Sequence, residues 1–159
     1  MRLLVINGPN LNLLGRREPE VYGRQTYADL VNLIKEQAAR KGLEAAVFQS
    51  NHEGEIIDAI HQAAGKYDGL IINPGAYTHY SYAIFDAIKG VGLPALEVHL
   101  SNIAAREEFR RHSVTAAACL GQISGLGFHG YLAAMDYLVQ YWTVGQTVGK
   151  TSVAGGGNR

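Results

Sequence analysis

The sequence predicts an α/β protein built on one parallel sheet with helices on both faces. Short apolar runs alternate with segments of helical period five times, with no repeat, linker or shift of composition between them. The runs are apolar throughout instead of alternating with polar residues, which is typical of parallel strands buried on both sides. These observations favour a flavodoxin-like, doubly wound, five-stranded parallel sheet in the order 2-1-3-4-5.

Glycine and proline mark the ends or starts of the predicted strands. Gly8 and Pro9 stop the first run, Gly42 precedes the second, and Pro74 follows the third. Pro94 is acceptable in the fourth run because it stands at the start. The predicted strands cover residues 3–6, 43–48, 69–72, 94–100 and 116–123, the last of which is rich in alanine.

Apolar spacing and capping signals predict the helices. Thr26 and Asp29 form a capping box ahead of Leu30 and Ile34, and that helix is expected to end near Lys41. A second amphipathic helix is marked by apolar residues at helical spacing, namely Ile56, Ile57, Ile60, Ala63 and Ala64. A third helix is expected to begin between residues 79 and 82, and a final helix to cover 127 to about 142.

Size and charge limit the class of protein. The 159 residues predict one α/β domain over 1–142 and a tail over 143–159 that is expected to be disordered at its end. The formal net charge of zero argues against nucleic acid or an anionic membrane as a partner. The single cysteine, Cys119, excludes an internal disulfide and is expected to be a small buried residue. No signal segment or membrane span is recognisable, so a cytoplasmic protein is expected.

The connection after the first strand is unusually long and carries chemically useful side chains. Residues 7–23 show no helical period and contain asparagines, two arginines and Tyr22. Adjacent guanidinium charge from Arg17 would favour a tyrosine phenolate, which is a usable base. Tyr22 could equally be a packing aromatic, and Arg16 with Arg17 a solvated pair. Gly15 and Gly23 are plausible hinges for a lid.

Polar residues cluster where the predicted strands end. In a parallel sheet of this type, ligands bind beyond the carboxyl ends of the strands. Segments after strands one, three and four are therefore expected to converge on one crevice. Strand one is followed by Asn10, Arg17 and Tyr22, and strand three by Asn73, Gly75 and His79. Strand four ends with, or is followed by, Glu97, His99 and Ser101.

Glu97 and His99 share one face of the fourth strand, which leaves two interpretations open. A carboxylate beside a histidine orients and tunes a general acid or base. The alternative is a structural histidine at a strand end. A metal site is not predicted, because no third ligand can be named.

Two further patterns have simple structural explanations. Residues 125–130 match the dinucleotide-binding string G-x-G-x-x-G, but they follow the last strand, so they predict a tight turn. Arg106, Arg110 and Arg111 either clamp a substrate carboxylate or form a charged surface. The helix start near Thr78 and Ser81 also favours an anion.

Several ordered motifs resemble the type II 3-dehydroquinate dehydratases, also called type II dehydroquinases. The resemblance covers residues 3 to about 141. It rests on the string from Asn7 to Pro19 with Val21-Tyr22-Gly23, on Gln49-Ser50-Asn51, on 72–76 with Thr78-His79, and on 97–102 with 106–113. It implies reversible dehydration of 3-dehydroquinate to 3-dehydroshikimate through an enolate, with no metal and no organic cofactor.

The resemblance also implies roles for individual residues. Tyr22 would remove the proton beside the ketone, with its phenolate stabilised by Arg17 and Arg110 in support. Asn10 would stabilise the enolate through a bound water, and His99, oriented by Glu97, would protonate the departing hydroxyl. Substrate-binding positions match Asn73, Gly75, His79, Leu100, Ser101 and Arg110. The family forms a dodecamer, a tetramer of trimers, in which the residue matching Asp86 reaches a neighbour's site.

Some of the chain departs from the family pattern. Residues 114–122 lack the expected aromatic and proline content and are expected to affect local packing only, and the tail past Trp142 has no counterpart. The rival interpretations are a flavodoxin-like cofactor or receiver module and an oligomer that kept the fold without catalysis. The first loop lacks a hydroxyl-rich phosphate site, and Asn7 and Asn73 stand where a receiver needs acids.

Overall fold

Five parallel strands form one sheet in the order β2-β1-β3-β4-β5, which confirms the predicted topology. The computed structural model describes residues 1–16 and 24–151. The strands are β1 (Arg2–Asn7), β2 (Glu44–Gln49), β3 (Gly69–Asn73), β4 (Ala95–His99) and β5 (Gly121–Ser124).

Four α-helices cover the two faces of the sheet: α1 (Tyr27–Arg40), α2 (Glu53–Ala63), α3 (Tyr82–Val91) and α4 (His129–Thr151). The predicted capping box is present at α1, where the Thr26 hydroxyl accepts from the Asp29 backbone N–H and the Asp29 carboxylate accepts from the Thr26 N–H. No helix within residues 1–16 and 24–151 is both long and apolar enough to cross a membrane.

The alternation of side chains along each strand divides the core into two layers. Leu3 and Val5 pack on the face covered by α1 and α4, while Leu4 and Ile6 pack on the face covered by α2 and α3. All four side chains are buried, which explains why β1 reads as a continuous apolar run. The sheet is therefore sandwiched between helices as the sequence predicts.

Two predicted elements differ from the structure. The fifth strand was expected over 116–123, but a 3₁₀ turn occupies Thr115–Ala118 and the strand begins at Gly121, since alanine favours helical turns over strands. The last helix continues to Thr151 instead of ending near 142, because no proline interrupts it. The expected disorder at the end of the tail falls on residues 152–159, outside the described residues.

Candidate active site

A cleft opens beyond the carboxyl ends of β1, β3 and β4. Predicted site residues from three separate segments meet in it, as the topology requires. The residues that line it are Pro9, Asn10, Leu11, Leu13, Leu14, Asn73, Gly75, Ala76, His79, Leu100, Ile103, Arg106 and Arg110. The cleft is therefore apolar on the side of the first loop and basic on the side of the segment after β4.

The loops after β1 and β3 contact each other through glycine backbone. A Cβ on Gly8 would lie 2.4 Å from the Pro74 carbonyl oxygen, so no larger residue fits there. Gly75 has φ +60°, and a Cβ at that position would lie 3.1 Å from the Pro9 carbonyl oxygen. This close approach explains why both strand ends carry a Gly-Pro or Pro-Gly pair, and it fixes one wall of the cleft.

Asn73 joins the cleft to a buried polar network. Its Nδ2 donates to the Tyr131 hydroxyl at 3.1 Å, and its Oδ1 accepts from the Gly75 N–H at 3.2 Å. The Tyr131 hydroxyl donates in turn to Asn7 Oδ1 at 2.6 Å. These bonds fix which way the Asn73 amide faces, because each of its atoms meets a partner of defined type. Sequence reasoning missed Tyr131, whose position on α4 carries no polar signal.

Glu97 and His99 form a buried pair at the end of β4. His99 Nε2 lies 2.6 Å from Glu97 Oε1, and the side chains are 7% and 0% exposed. Burial raises the pKa of Glu97, but the hydrogen bond and charge of His99, together with the Thr115 and Ser113 hydroxyls, outweigh burial and bring the pKa to about 2. Glu97 is therefore a carboxylate at neutral pH, and it fixes the His99 ring through Nε2.

Four neutral side chains complete the surroundings of Glu97. Thr78, Ser113 and Gln122 donate to Oε1 at 2.8, 2.7 and 2.8 Å, and the Thr115 hydroxyl donates to Oε2. Thr115 and Gln122 belong to the stretch 114–122, so the expectation that this stretch affects local packing only is wrong. Thr78 and Ser113 stand inside recognised motifs, whereas nothing in the sequence marks Thr115 or Gln122 as partners of Glu97.

His79 and Arg110 lie on the basic side of the cleft. His79 Nδ1 donates to the His112 carbonyl oxygen at 2.8 Å, which leaves Nε2 as the ring nitrogen free to meet a ligand. The Arg110 guanidinium lies 4.8 Å from the centre of the Phe109 ring, and its Nε lies 3.4 Å from Glu107. The charged group is thus held beside the cleft by a ring and a carboxylate on its own turn.

No metal-ligand cluster is found in the part of the chain that the structure describes. Within 1–16 and 24–151 no three His, Cys, Asp or Glu side chains are grouped to hold an ion. Burial, and then the Glu97 charge, raise the pKa of Cys119 to about 12, so its thiol is protonated and a poor ligand.

Comparison with known proteins identifies the family. The model of the family described as "Dehydroquinase class II" matches residues 1–139. The chain belongs to this family. It is 62% identical over 138 residues to a 3-dehydroquinate dehydratase of Thermotoga neapolitana, covering 87% of this chain and 94% of that protein. A 3-dehydroquinate dehydratase of Clostridium perfringens is 63% identical over 139 residues, which cover 87% of this chain and 96% of that protein.

The fold agrees with solved structures of class II dehydroquinases. The crystal structure of the type II dehydroquinase from Butyrivibrio crossotus superposes with a TM-score of 0.86 at 55% identity, and covers 87% of this chain and 97% of that one. The family match ends at residue 139, so the last turns of α4 extend beyond the part shared with the family.

Four predicted site residues of this class II dehydroquinase that the structure describes are not among the residues that line the cleft. Glu97 and His99 are buried at the end of β4. Ser101 is partly buried, and its carbonyl accepts from the Ser124 hydroxyl at 3.0 Å. Asp86 is exposed on α3. Arg17 and Tyr22 lie outside the described residues. Their roles remain predictions from the family motifs.

Proposed function

We propose that the cleft of this class II dehydroquinase carries out the reversible dehydration of 3-dehydroquinate to 3-dehydroshikimate by acid–base elimination. Membership of the family confirms the hydro-lyase predicted from the sequence. The observation that supports this site for the reaction is the buried Glu97–His99 pair at the end of β4, which immediately precedes the cleft residue Leu100. Such a pair is suited to proton transfer at a leaving group.

The base in this proposal is Tyr22. It removes the proton from the carbon beside the ketone, and the electron pair of that C–H bond moves into an enolate. Arg17 stabilises the tyrosine phenolate by its charge, since a nearby cation favours the ionised form of a phenol. Both assignments rest on the motif that contains Arg17, Val21, Tyr22 and Gly23. The loop acts as a lid that places these groups over the substrate.

The enolate oxygen needs a hydrogen-bond donor, and in this proposal Asn10 supplies one. Asn10 is exposed, lines the cleft and precedes the 3₁₀ turn Leu11–Leu13 without capping it through its side chain. Its amide is therefore available to hold a water molecule against the developing negative charge. A donor that acts only when charge develops lowers the barrier without tightening substrate binding.

His99 acts as the acid that protonates the departing hydroxyl. Its Nε2 is taken by Glu97, and Nδ1 has no hydrogen bond to any described residue, so Nδ1 is the nitrogen available to the substrate. In the protonated ring the Nδ1 proton moves to the hydroxyl, the C–O bond breaks, and the enolate electron pair forms the new C=C bond. Water leaves, and His99 remains neutral with its Nε2–H still directed at Glu97.

The substrate carboxylate is held at the basic side of the cleft. Arg110 supplies fixed positive charge, and His79 and Asn73 supply side-chain groups at the wall of the cleft. The family motif adds the Ser101 hydroxyl and the backbone N–H that follows Leu100. Gly75 permits the backbone to approach. Arg106 lines the same wall and adds to its positive potential. A cationic wall of this kind anchors an anionic substrate and so orients its ring between base and acid.

The assembly proposed for the protein is the family's dodecamer, a tetramer of trimers, in the cytoplasm. Asp86 is exposed on α3, as is expected of a residue that reaches a neighbouring subunit's site. The zero net charge does not oppose association. The product would serve either aromatic biosynthesis through the shikimate pathway or quinate breakdown. Sedimentation of the purified protein tests the assembly.

The activity is tested by the rise in near-ultraviolet enone absorbance when the protein meets 3-dehydroquinate. The rise is expected to survive a chelator and, separately, borohydride treatment with substrate, because no metal and no imine take part. Tyr22→Phe should lower kcat by about 10²-fold or more, the usual contribution of a general base, while substrate still binds. Tyr137→Phe, at an exposed tyrosine on α4, is the matched control and should leave kcat unchanged. Wild-type kcat in Tyr22→Phe would remove tyrosine from the mechanism.

A further inference from the structure

The backbone of Asn10 adopts a conformation that few residues other than glycine adopt. Its φ is 67°, and it is the only non-glycine residue with positive φ in the part of the chain that the structure describes. Asparagine tolerates this region better than most residues, but the conformation is still strained and persists only where the surroundings enforce it. The strained residue is also one of those that line the cleft.

Asn51 supplies the side-chain contact to the backbone N–H of Asn10. Its Oδ1 accepts the backbone N–H of Asn10 at 3.0 Å and the side-chain Nε2–H of Gln49 at 3.1 Å. Gln49 also donates to the Gly8 carbonyl at 3.2 Å. The carbonyl oxygen of Asn51 accepts from the Tyr77 hydroxyl at 2.9 Å, so its main chain is held as well. Asn51 is thereby fixed between the loops that follow β1, β2 and β3.

We propose that Asn51 is a positioning residue for the dehydration, acting through the backbone of Asn10. The inference rests on the proposed role of Asn10 in stabilising the enolate. Asn51 does not line the cleft, so its effect on the reaction passes through the Asn10 N–H that it binds. The motif Gln49-Ser50-Asn51 thus has a function in addition to ending β2.

The consequence for catalysis follows from the geometry. Without the Oδ1 acceptor the Asn10 peptide relaxes toward negative φ, and the amide side chain moves relative to the cleft. Displacement of a catalytic group by about 1 Å costs up to about 10²-fold in rate. Because Asn10 acts on the enolate and not on the bound ketone, the loss falls on kcat while KM changes little.

The test uses Asn51→Leu, which keeps the side-chain shape and removes the acceptor, and Asn51→Asp, which keeps an acceptor for both donors. Asn51→Leu is expected to lower kcat about tenfold or more with KM within about twofold, and Asn51→Asp to stay within about threefold of the wild type. Asn51 is exposed, so both variants should fold. Asn51→Ala carries the same expectation as Asn51→Leu if the leucine variant is insoluble.

The decisive measurement repeats Asn51→Leu in an Asn10→Gly background. Glycine adopts positive φ without strain and has no side-chain amide. If Asn51 acts only through Asn10, it therefore has no catalytic group left to position in that background. The second substitution should change kcat less than about twofold in that background. If Asn51→Leu lowers kcat equally in the wild-type and Asn10→Gly backgrounds, or leaves kcat at the wild-type value, the inference about Asn51 is overturned and the proposed function is not. Wild-type kcat in Asn10→Gly instead overturns the proposed role of Asn10.

Discussion

Glu97 is a fully buried carboxylate that accepts hydrogen bonds from one histidine and from neutral hydroxyl and amide donors. A buried charge is tolerated only when it is paired and hydrogen-bonded, and both conditions are met here. The neutral donors hold the carboxylate in place whether or not His99 carries its second proton. The acid can therefore give up its proton during turnover without leaving its partner unsupported.

Glu97→Gln tests this arrangement through pH. The pKa of Glu97 is lowered from an ordinary 4.5 to about 2, so the stability that its ionisation contributes is present above pH 4.5 and is lost as the pH falls toward 2. The difference in unfolding free energy between the wild type and Glu97→Gln should therefore shrink by roughly 3 kcal/mol between pH 6 and pH 2. At neutral pH kcat should fall about 10²-fold, because His99 loses its orienting partner.

Urea unfolding at a series of pH values measures this difference. Glu108→Gln, at an exposed carboxyl on the segment after β4, is the matched control. Its difference in unfolding free energy from the wild type should not shrink comparably as the pH falls. A difference that is constant from pH 6 to pH 2 would mean that the Glu97 pKa is not lowered in the folded protein.

At the scale of the elements, the sequence predicts well wherever local pattern and tertiary packing agree. β1 and β3 are continuous apolar runs with clear stops, and the α1 capping box is a local signal. β5 was misplaced because alanine carries no strand preference, and a 3₁₀ turn at Thr115 instead directs a hydroxyl to Glu97. The end of α4 was misplaced because nothing in the local sequence stops it.

Some residues of the candidate site could be predicted from the sequence, and others could not. Motifs predicted the polar residues that line the cleft, since those residues follow strands whose ends must meet. The donors to Glu97 come from positions 78, 113, 115 and 122, and Tyr131 comes from the middle of α4. No periodicity links these positions. Only the folded chain brings them together, which is why the sequence did not reveal them.

Trp142 binds α4 to the amino end of the sheet, opposite the cleft. Its indole N–H donates to the Asp68 carbonyl at 2.8 Å, and the Asp68 carboxylate accepts from the Arg2 N–H at 2.6 Å. Trp142→Phe removes one partly buried hydrogen bond and should lower the unfolding free energy by about 1 kcal/mol. Because Asp68 immediately precedes β3, at the end away from the cleft, kcat and KM should not change.

Thermal unfolding and steady-state kinetics of Trp142→Phe test this prediction together. Tyr141→Phe, at a more exposed neighbour that stacks on Tyr137, is the control for aromatic packing on α4. A change of KM in Trp142→Phe with unchanged stability would contradict the assignment of Trp142 to the end of the sheet remote from the cleft.

At the scale of the whole molecule, the site depends on contacts between the sheet and the last helix. Tyr131 on α4 links the ends of β1 and β3 by bonding Asn7 and Asn73, which are 124 and 58 residues away in sequence. Burial raises the pKa of Tyr131 above its ordinary value, so the hydroxyl stays protonated and continues to donate. The network orients the Asn73 amide at the cleft and also joins two strands to a helix.

Tyr131→Phe should therefore affect stability and substrate binding together. It leaves Asn7 Oδ1 without its donor and Asn73 Nδ2 without its acceptor, and unpaired buried groups cost about 1–3 kcal/mol each. KM should rise severalfold, because the Asn73 amide is no longer held in one orientation against the substrate. Urea unfolding and KM measurement check the two effects, with Tyr137→Phe on the exposed side of α4 as the control. A loss of stability without any rise in KM would show that the Gly75 N–H alone suffices to orient Asn73.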